Sequence, residues 1–153
     1  RGLVLIDLDY LKQVNDSVGH FAGDDVLRRI ATALRDGTRP SDVLARYGGE
    51  EFVILLRNAA LEEARVAAER IRQTIANVAG LPGSVTLTAS IGVAVSEMRE
   101  TTMDFLLRAD EALYRSKREG RNQVSVYRAS DRGGTALNSE ARRRILPHAE
   151  SAK

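Results

Sequence analysis

The sequence predicts an α+β domain with a ferredoxin-like βαββαβ core, and three observations predict it. Near-continuous apolar character in Leu3-Val4-Leu5-Ile6-Asp7-Leu8-Asp9 marks a strand inside a sheet rather than at its edge. Two β-prone runs, Val43-Leu44-Ala45-Arg46-Tyr47 and Phe52-Val53-Ile54-Leu55-Leu56, flank Gly48-Gly49 and read as a tight hairpin. Helix-period stripes separate these strands from one another and from a later strand. Such an order implies one antiparallel sheet with helices on one side and the first and third strands paired in its middle.

Taken in order, the first strand spans Leu3 to Leu8, with Leu3, Leu5, Asp7 and Asp9 on one face and Val4, Ile6 and Leu8 on the other. Lys12, Asn15-Asp16 and the glycine-punctuated Gly19-His20-Phe21-Ala22-Gly23-Asp24 lead into a helix from about Gly23 to Leu34. That helix carries Val26, Leu27, Ile30, Ala33 and Leu34 on one stripe. The hairpin follows. A second helix covers about Leu61 to Val78, with Ala64, Ala67, Ala68, Ile71 and Ile75 inward, and Leu81-Pro82-Gly83 breaks it. A β-branched strand runs from Val85 to Val95 with Gly92 as a bulge. The last helix spans about Met103 to Arg118, with Asp104 in its first turn and Gly120 ending it, and Gln123 to Tyr127 is a short closing strand. Residues 1–128 read as the domain. From Ala129 the composition turns polar, and residues 129–153 read as a flexible tail.

Two acidic sets stand out. Carboxylates at the end of an inner strand are costly to bury unless paired, hydrogen-bonded or bound to metal, and Asp7 follows four apolar residues. Asp9 reads equally as a cap for the next turn. Glu50 and Glu51 directly follow the paired glycines, where backbone and ligand approach closely because no Cβ intervenes. Carboxylates there suit a hard cation, and Mg²⁺ is usually shared with substrate phosphates. A surface hairpin with solvated glutamates is the plainer reading of Gly-Gly-Glu-Glu alone. Asp24 is a helix cap or a ligand contact, and Asn15 a turn former or a ligand contact.

Together these segments resemble the GGDEF family, the diguanylate cyclases. The matching residues are Asp7-Leu8-Asp9-Tyr10-Leu11-Lys12-Gln13-Val14-Asn15-Asp16, Gly19-His20 through Gly23-Asp24, and Arg46-Tyr47-Gly48-Gly49-Glu50-Glu51-Phe52. Ala109-Asp110-Glu111-Ala112-Leu113-Tyr114 follows late in the chain, with Lys117 and Gly120-Arg121-Asn122. The resemblance runs from about Leu3 to Tyr127. It implies a nucleotidyl cyclase-like core and condensation of two GTP into cyclic di-GMP with release of pyrophosphate, carried out by a homodimer. The metal is expected to be Mg²⁺ or Mn²⁺, held by Asp7, the carbonyl of Leu8, and Glu50 or Glu51. Glu50 and Glu51 are the catalytic pair, with Glu50 the better candidate to help deprotonate the 3′-hydroxyl. Lys12, Lys117 and Arg121 are implied as phosphate contacts, although Lys117 at a helix C-terminus also favours the dipole. Asn15 and Asp24 are implied to read guanine, the carboxylate accepting two donors that adenine lacks.

A second site is implied by the same resemblance. Arg39-Pro40-Ser41-Asp42 matches the family's Arg-x-x-Asp inhibitory site, which binds product cyclic di-GMP, and Arg70 matches a further arginine used across domains. Taken alone, Arg39 and Asp42 read as an ordinary turn with an ion pair. Family chains usually carry an N-terminal helical segment before the first strand, and this chain begins two residues before it, so truncation there is expected. A sensory or dimerising domain upstream, and a cytoplasmic location for a parent protein that is itself membrane-anchored or free, are implied as well.

Composition narrows the alternatives. The chain of 153 residues is long enough for one buried core and contains no cysteine, which excludes disulfides and thiolate metal sites. No apolar run is long enough for a bilayer, and the start does not look like a signal peptide. Residues 128–153 carry six Lys/Arg against three Asp/Glu, leaving 17 against 18 in the remainder. A nearly neutral domain offers no nucleic-acid footprint, and Arg142-Arg143-Arg144 reads as a solvated feature of the tail. Two other functions compete: a non-catalytic cyclic di-GMP receptor, and a ferredoxin-like interaction module. Degenerate receptors of this family usually lose the Gly-Gly-[Asp/Glu]-Glu-Phe residues, and none is lost here. The module leaves the acidic residue at the end of the first strand unexplained.

Overall fold

The structure, a computed structural model, describes residues 1–84 and 86–128. The elements are β1 (Gly2–Leu8), α1 (Leu11–Val18), α2 (His20–Gly37), β2 (Val43–Arg46), β3 (Glu51–Leu56), α3 (Leu61–Ala76), β4 (Ala89–Val95), α4 (Thr102–Arg118) and β5 (Val124–Val126). The strand order is β2-β3-β1-β4-β5. β1 pairs antiparallel with both β3 and β4, as the ferredoxin-like plan requires, and every residue of β1 is buried. The predicted tail, residues 129–153, lies outside the described residues. No helix among those described is long and apolar enough to cross a membrane.

Two expectations about the layers are corrected. The sheet is mixed, because β5 pairs parallel with β4. Helices cover both faces, not one. Val4, Ile6 and Leu8 share a core with Val26, Ile30, Leu34, Ala68, Ile71 and Ile75 of α2 and α3. Leu3 and Leu5 share a second core with Phe105, Ala109, Ala112 and Leu113 of α4. The continuous apolar run in β1 is therefore the signature of a strand packed on both sides.

Local signals account for most boundaries. α4 is capped by Thr101, whose Oγ1 accepts from the Asp104 amide at 3.1 Å, while Gly120 follows its end with φ 116°. α3 stops at Ala76, two residues earlier than expected, and Gly83 turns the chain with φ 69°. β4 runs from Ala89, where its ladder with β1 begins, and the predicted start at Val85 lies outside the described residues. The segment after β1 forms a helix of its own. Leu11 and Val14 bury one side of α1, and Tyr10 at its N-cap adopts a left-handed φ of 59°. α2 then starts at His20, three residues before the predicted Gly23.

Gly92 is not a bulge. It pairs in register with Leu5 on one side and Ser125 on the other. Its missing side chain lets α4 sit against the sheet, for a Cβ there would lie 2.1 Å from the Ala109 carbonyl oxygen and 2.3 Å from the Leu113 nitrogen. Ser116 tightens the same contact by donating its Oγ to the Ile91 carbonyl at 2.7 Å. Near the start of α4, Arg108 is half-buried and donates to Glu100 at 2.6 Å and to the Val95 carbonyl at 2.7 Å. Its guanidinium also lies 5.2 Å from the Tyr127 ring centre.

Gly92→Ala is expected to destabilise the domain by about 1–3 kcal/mol or more, because backbone rather than a flexible side chain must move. Urea unfolding monitored by circular dichroism reads this as a lower midpoint.

Candidate active site

The site starts at the end of β1, where two carboxylates are buried. Asp7 is 5% exposed and Asp9 is 4% exposed. Asp9 does not cap the next helix. It accepts from Ser90 Oγ at 2.7 Å, Thr88 Oγ1 at 2.8 Å and the Asn122 amide at 3.1 Å, which ties β1 to β4 and to the α4–β5 turn. Its lone pairs are thus met by protein donors, which offsets the cost of burying them. Asp7 faces α4, and Lys117 Nζ lies 2.7 Å from its Oδ2. Asp110 lies on the same helix and is also buried; burial pushes its carboxyl above the usual range, opposed by Lys117 and reinforced by Asp7.

The hairpin delivers the second acidic set. Asp7 and Glu51 are cross-strand partners in the β1–β3 register, and the Leu8 amide donates to the Glu50 carbonyl at 3.1 Å. Side chains of cross-strand partners share a face and lie close together, so two carboxylates meet at the central end of the sheet. The turn is folded around Glu51. Its carbonyl accepts from the Tyr47 and Gly48 amides at 2.8 and 3.2 Å, and a Cβ on Gly48 would lie 2.6 Å from its Oε2. Arg46 fastens the loop, donating Nε to the Gly48 carbonyl at 3.1 Å and Nη2 to the Gly49 carbonyl at 2.7 Å. Nothing lies within 4 Å of a Cβ position on Gly49, so the tip of the turn is open.

These donors fit a hard cation. Among the described residues no three His, Cys, Asp or Glu side chains form a complete metal cage. Mg²⁺ asks for less, since it binds through one or two carboxylates and takes its remaining ligands from phosphate and water. The residues able to hold it are Asp7, the carbonyl of Leu8, and Glu50 or Glu51.

A cleft of about 400 Å³ opens between α2 and the hairpin, lined by Asp24, Leu27, Arg28, Ala31, Arg46 and Phe52. Asp24 is not a helix cap, because α2 begins four residues earlier with Gly19 at its N-cap. It is exposed and faces this cleft. Asn15 sits on α1 rather than in a turn, against Gly23, where a Cβ would come within 1.7 Å of its Oδ1. That oxygen is buried without a hydrogen-bond partner in the protein. Lys12 is exposed in the first turn of α1. Arg121 approaches the same helix from the α4–β5 turn, its guanidinium 4.9 Å from the Tyr10 ring centre.

The predicted second site is a separate cleft at the other end of the hairpin. Arg39, Asp42 and Arg70 line a cavity of about 100 Å³. Arg39 and Arg70 also border an adjoining hollow of about 270 Å³ with Glu63 and Val66. Among the described residues Arg39 and Asp42 form no ion pair. Asp42 instead accepts from the Arg57 amide at 3.0 Å and closes the base of the hairpin. Arg70 donates to the Gly37 carbonyl at 3.2 Å, which brings it beside Arg39 within one chain. Glu51 and Leu56, at opposite ends of β3, are five residue steps apart, so the far wall of this cleft lies about 17 Å from Glu51 by strand rise.

Three features were not anticipated from the sequence: α1 itself, the donors around Asp9, and the position of Asp110. The spacing of Leu11, Val14 and Val18 carried the signal for α1. The others depend on contacts between residues as far as 113 positions apart and have no local signature.

A family model described as "Diguanylate cyclase, GGDEF domain" matches residues 1–123. The chain is 45% identical over 122 residues to diguanylate cyclase DgcM of Escherichia coli, a match covering 80% of this chain and 30% of that protein. It spans between 19% and 34% of the length of such curated relatives. The active GGEEF domain of a diguanylate cyclase from Vibrio cholerae superposes with a TM-score of 0.77 at 35% identity, covering 83% of this chain and 82% of that one. The GGDEF domain of DgcB from Caulobacter crescentus, solved with c-di-GMP, superposes with a TM-score of 0.76 at 34% identity, covering 82% and 77%. The α+β fold and these matches establish that the chain belongs to the GGDEF domain family.

Proposed function

We propose that this domain is a diguanylate cyclase, joining two GTP into cyclic di-GMP with release of two pyrophosphates, as a homodimer in which each domain presents one nucleotide. The observation that carries the reading is the placement of Asp7 opposite Glu51, with Lys117 2.7 Å from Asp7, at the open end of the central strands. Forming a 3′–5′ phosphodiester needs a 3′-hydroxyl in line with the departing pyrophosphate, and such catalysis is mostly positioning and charge neutralisation. Bound Mg²⁺ or Mn²⁺ would supply that neutralisation and lower the pKa of the attacking hydroxyl. Asp7, the Leu8 carbonyl and Glu51 would hold the cation, and Glu50 would accept the hydroxyl proton. Lys12, Lys117 and Arg121 grip the triphosphate as compact or forked cations. Asn15 and Asp24 accept from the guanine edge. GTP as substrate places the domain on the cytoplasmic side of its parent protein, behind an upstream sensory or dimerising domain.

Product feedback belongs to the same proposal. Cyclic di-GMP would bind at Arg39, Asp42 and Arg70, where guanidinium forks match phosphate and the guanine edge. That cleft, about a strand length from Glu51, also favours a second reading, a receptor that binds cyclic di-GMP without making it. Incubation of the chain with GTP and Mg²⁺, followed by chromatography of the products, separates the two. Cyclic di-GMP formation supports the cyclase, whereas binding without turnover supports the receptor.

Asp7→Ala and Glu51→Ala are each expected to lower kcat by about 10²–10³-fold or more, the scale for removing an electrostatic contact to the transition state. The fold should persist, because Lys117 is 24% exposed and can turn to water when Asp7 is gone. Near-normal product formation by either variant, with an unchanged melting curve, sinks the metal-site assignment.

Asp24→Ser is expected to relax base choice, because a hydroxyl donates as well as accepts. Mixed adenine-guanine cyclic dinucleotides should appear when ATP competes with GTP. An unchanged product spectrum removes Asp24 from base recognition.

Arg39→Ala is expected to abolish inhibition by product while initial rates stay near wild type, and Arg70→Ala to weaken inhibition less. Calorimetric titration of cyclic di-GMP beside initial-rate measurements checks both. Wild-type affinity in Arg39→Ala ends the feedback assignment.

A further inference from the structure

We infer that Arg72 and Asn122 form a brace that holds Arg121 against Tyr10, which makes Arg72 a positioning residue for triphosphate binding. The inference rests on the phosphate role proposed above for Arg121. Gly120-Arg121-Asn122 joins α4 to β5, and two of its residues carry left-handed backbone with side chains attached. Arg121 has φ 62° and Asn122 has φ 46°. Such a conformation persists in non-glycine residues when the surroundings fix it.

Four contacts fix this turn. The Arg121 amide donates to the Ser116 carbonyl at 2.9 Å, and the Asn122 amide donates to Asp9 Oδ2 at 3.1 Å. The Arg121 guanidinium lies 4.9 Å from the Tyr10 ring centre. The fourth contact comes from α3, where Arg72 Nη1 donates to Asn122 Oδ1 at 2.5 Å, across 50 positions of chain.

Arg72 is itself held in place. Its Nε and Nη2 both engage Glu69 one turn earlier, with the shortest contact 2.6 Å, and its side chain is only 19% exposed. The same hydrogen bonds hold the Glu69 carboxyl below its usual range. A surface arginine that needed only a counter-charge would be satisfied by Glu69. The third donor, directed at a neutral amide oxygen, is what links α3 to the α4–β5 turn. With that bond lost, the left-handed pair can relax toward ordinary backbone angles and carry the Arg121 guanidinium away from Tyr10.

The test is calorimetric titration of 3′-deoxy-GTP, which lacks the attacking hydroxyl, into the chain with Mg²⁺. Arg72→Met keeps the apolar stem and removes the donors. Asn122→Gly keeps the left-handed backbone and removes the acceptor, and it carries the same comparison if Arg72→Met does not fold. Each is expected to weaken binding by about 3–10-fold, the scale of coupling between residues in one network, with melting midpoints near wild type. Adding either change to Arg121→Ala should cost nothing further. Wild-type affinity in both single variants, or the same loss with and without Arg121, overturns the brace. Wild-type affinity in Arg121→Ala instead removes Arg121 from the phosphate contacts proposed above, and the brace then positions nothing.

Discussion

The rest of the structure depends on one constraint: buried carboxylates must be kept at the end of the central strand. Asp7 sits opposite Glu51 in a tightly paired register, and Asp110 is buried on the helix packed over them. Like charges gathered out of water repel and lose hydration together. The fold answers with specific partners rather than exposure. Lys117 neutralises Asp7, while two hydroxyls and an amide satisfy Asp9. Lys117 can reach Asp7 only because α4 lies almost on the sheet, and that approach is what a glycine at position 92 permits. A packing requirement inside the second core thereby becomes a condition for the charge balance of the site.

The hairpin has two ends with two jobs, which explains its internal fastening. At the tip, Arg46 ties the Gly48 and Gly49 carbonyls, and the Glu51 carbonyl gathers the amides of Tyr47 and Gly48. At the base, Asp42 takes the Arg57 amide and closes the strands beside Arg39. Four cross-strand pairs from Val43–Leu55 to Arg46–Phe52 join the ends. A ligand at the base is too far to touch groups at the tip, so any effect it has on chemistry must pass through this ladder or through the placement of a second domain.

Much of this was legible before the structure was. The four strands of the core and the last three helices follow from period and from punctuation by glycine and proline, and β1 and β3 were expected side by side. The burial of Leu3 and Leu5 on the face opposite Val4 and Ile6 was also written in the alternation, but its meaning was misjudged. An unbroken apolar strand needs cover on both sides, and the expectation of helices on one side left Leu3 and Leu5 bare. Gly92 was misread for a related reason. Glycine within a strand signals either a bulge or a close neighbour, and only the position of α4 distinguishes them. Asp9 shows a different limit. Its partners Thr88, Ser90 and Asn122 come from distant segments, so its role as an anchor is a property of the assembled topology.

The site needs more than its acidic residues. Asn15 Oδ1 is buried without a partner in the space that the absent Cβ of Gly23 leaves, and Asp24 turns toward a cleft of about 400 Å³. An unsatisfied buried acceptor costs about 1–3 kcal/mol in the free protein. A ligand that donates to it recovers that cost on binding, whereas one that presents an acceptor there does not. Selectivity at such a position comes from the penalty for the wrong partner more than from the gain with the right one. The proposal that Asn15 on α1 and Asp24 on α2 read the base is therefore a proposal of preference for a donor-rich edge. Guanine, with its ring N–H and exocyclic amine adjacent, presents that edge, and adenine does not.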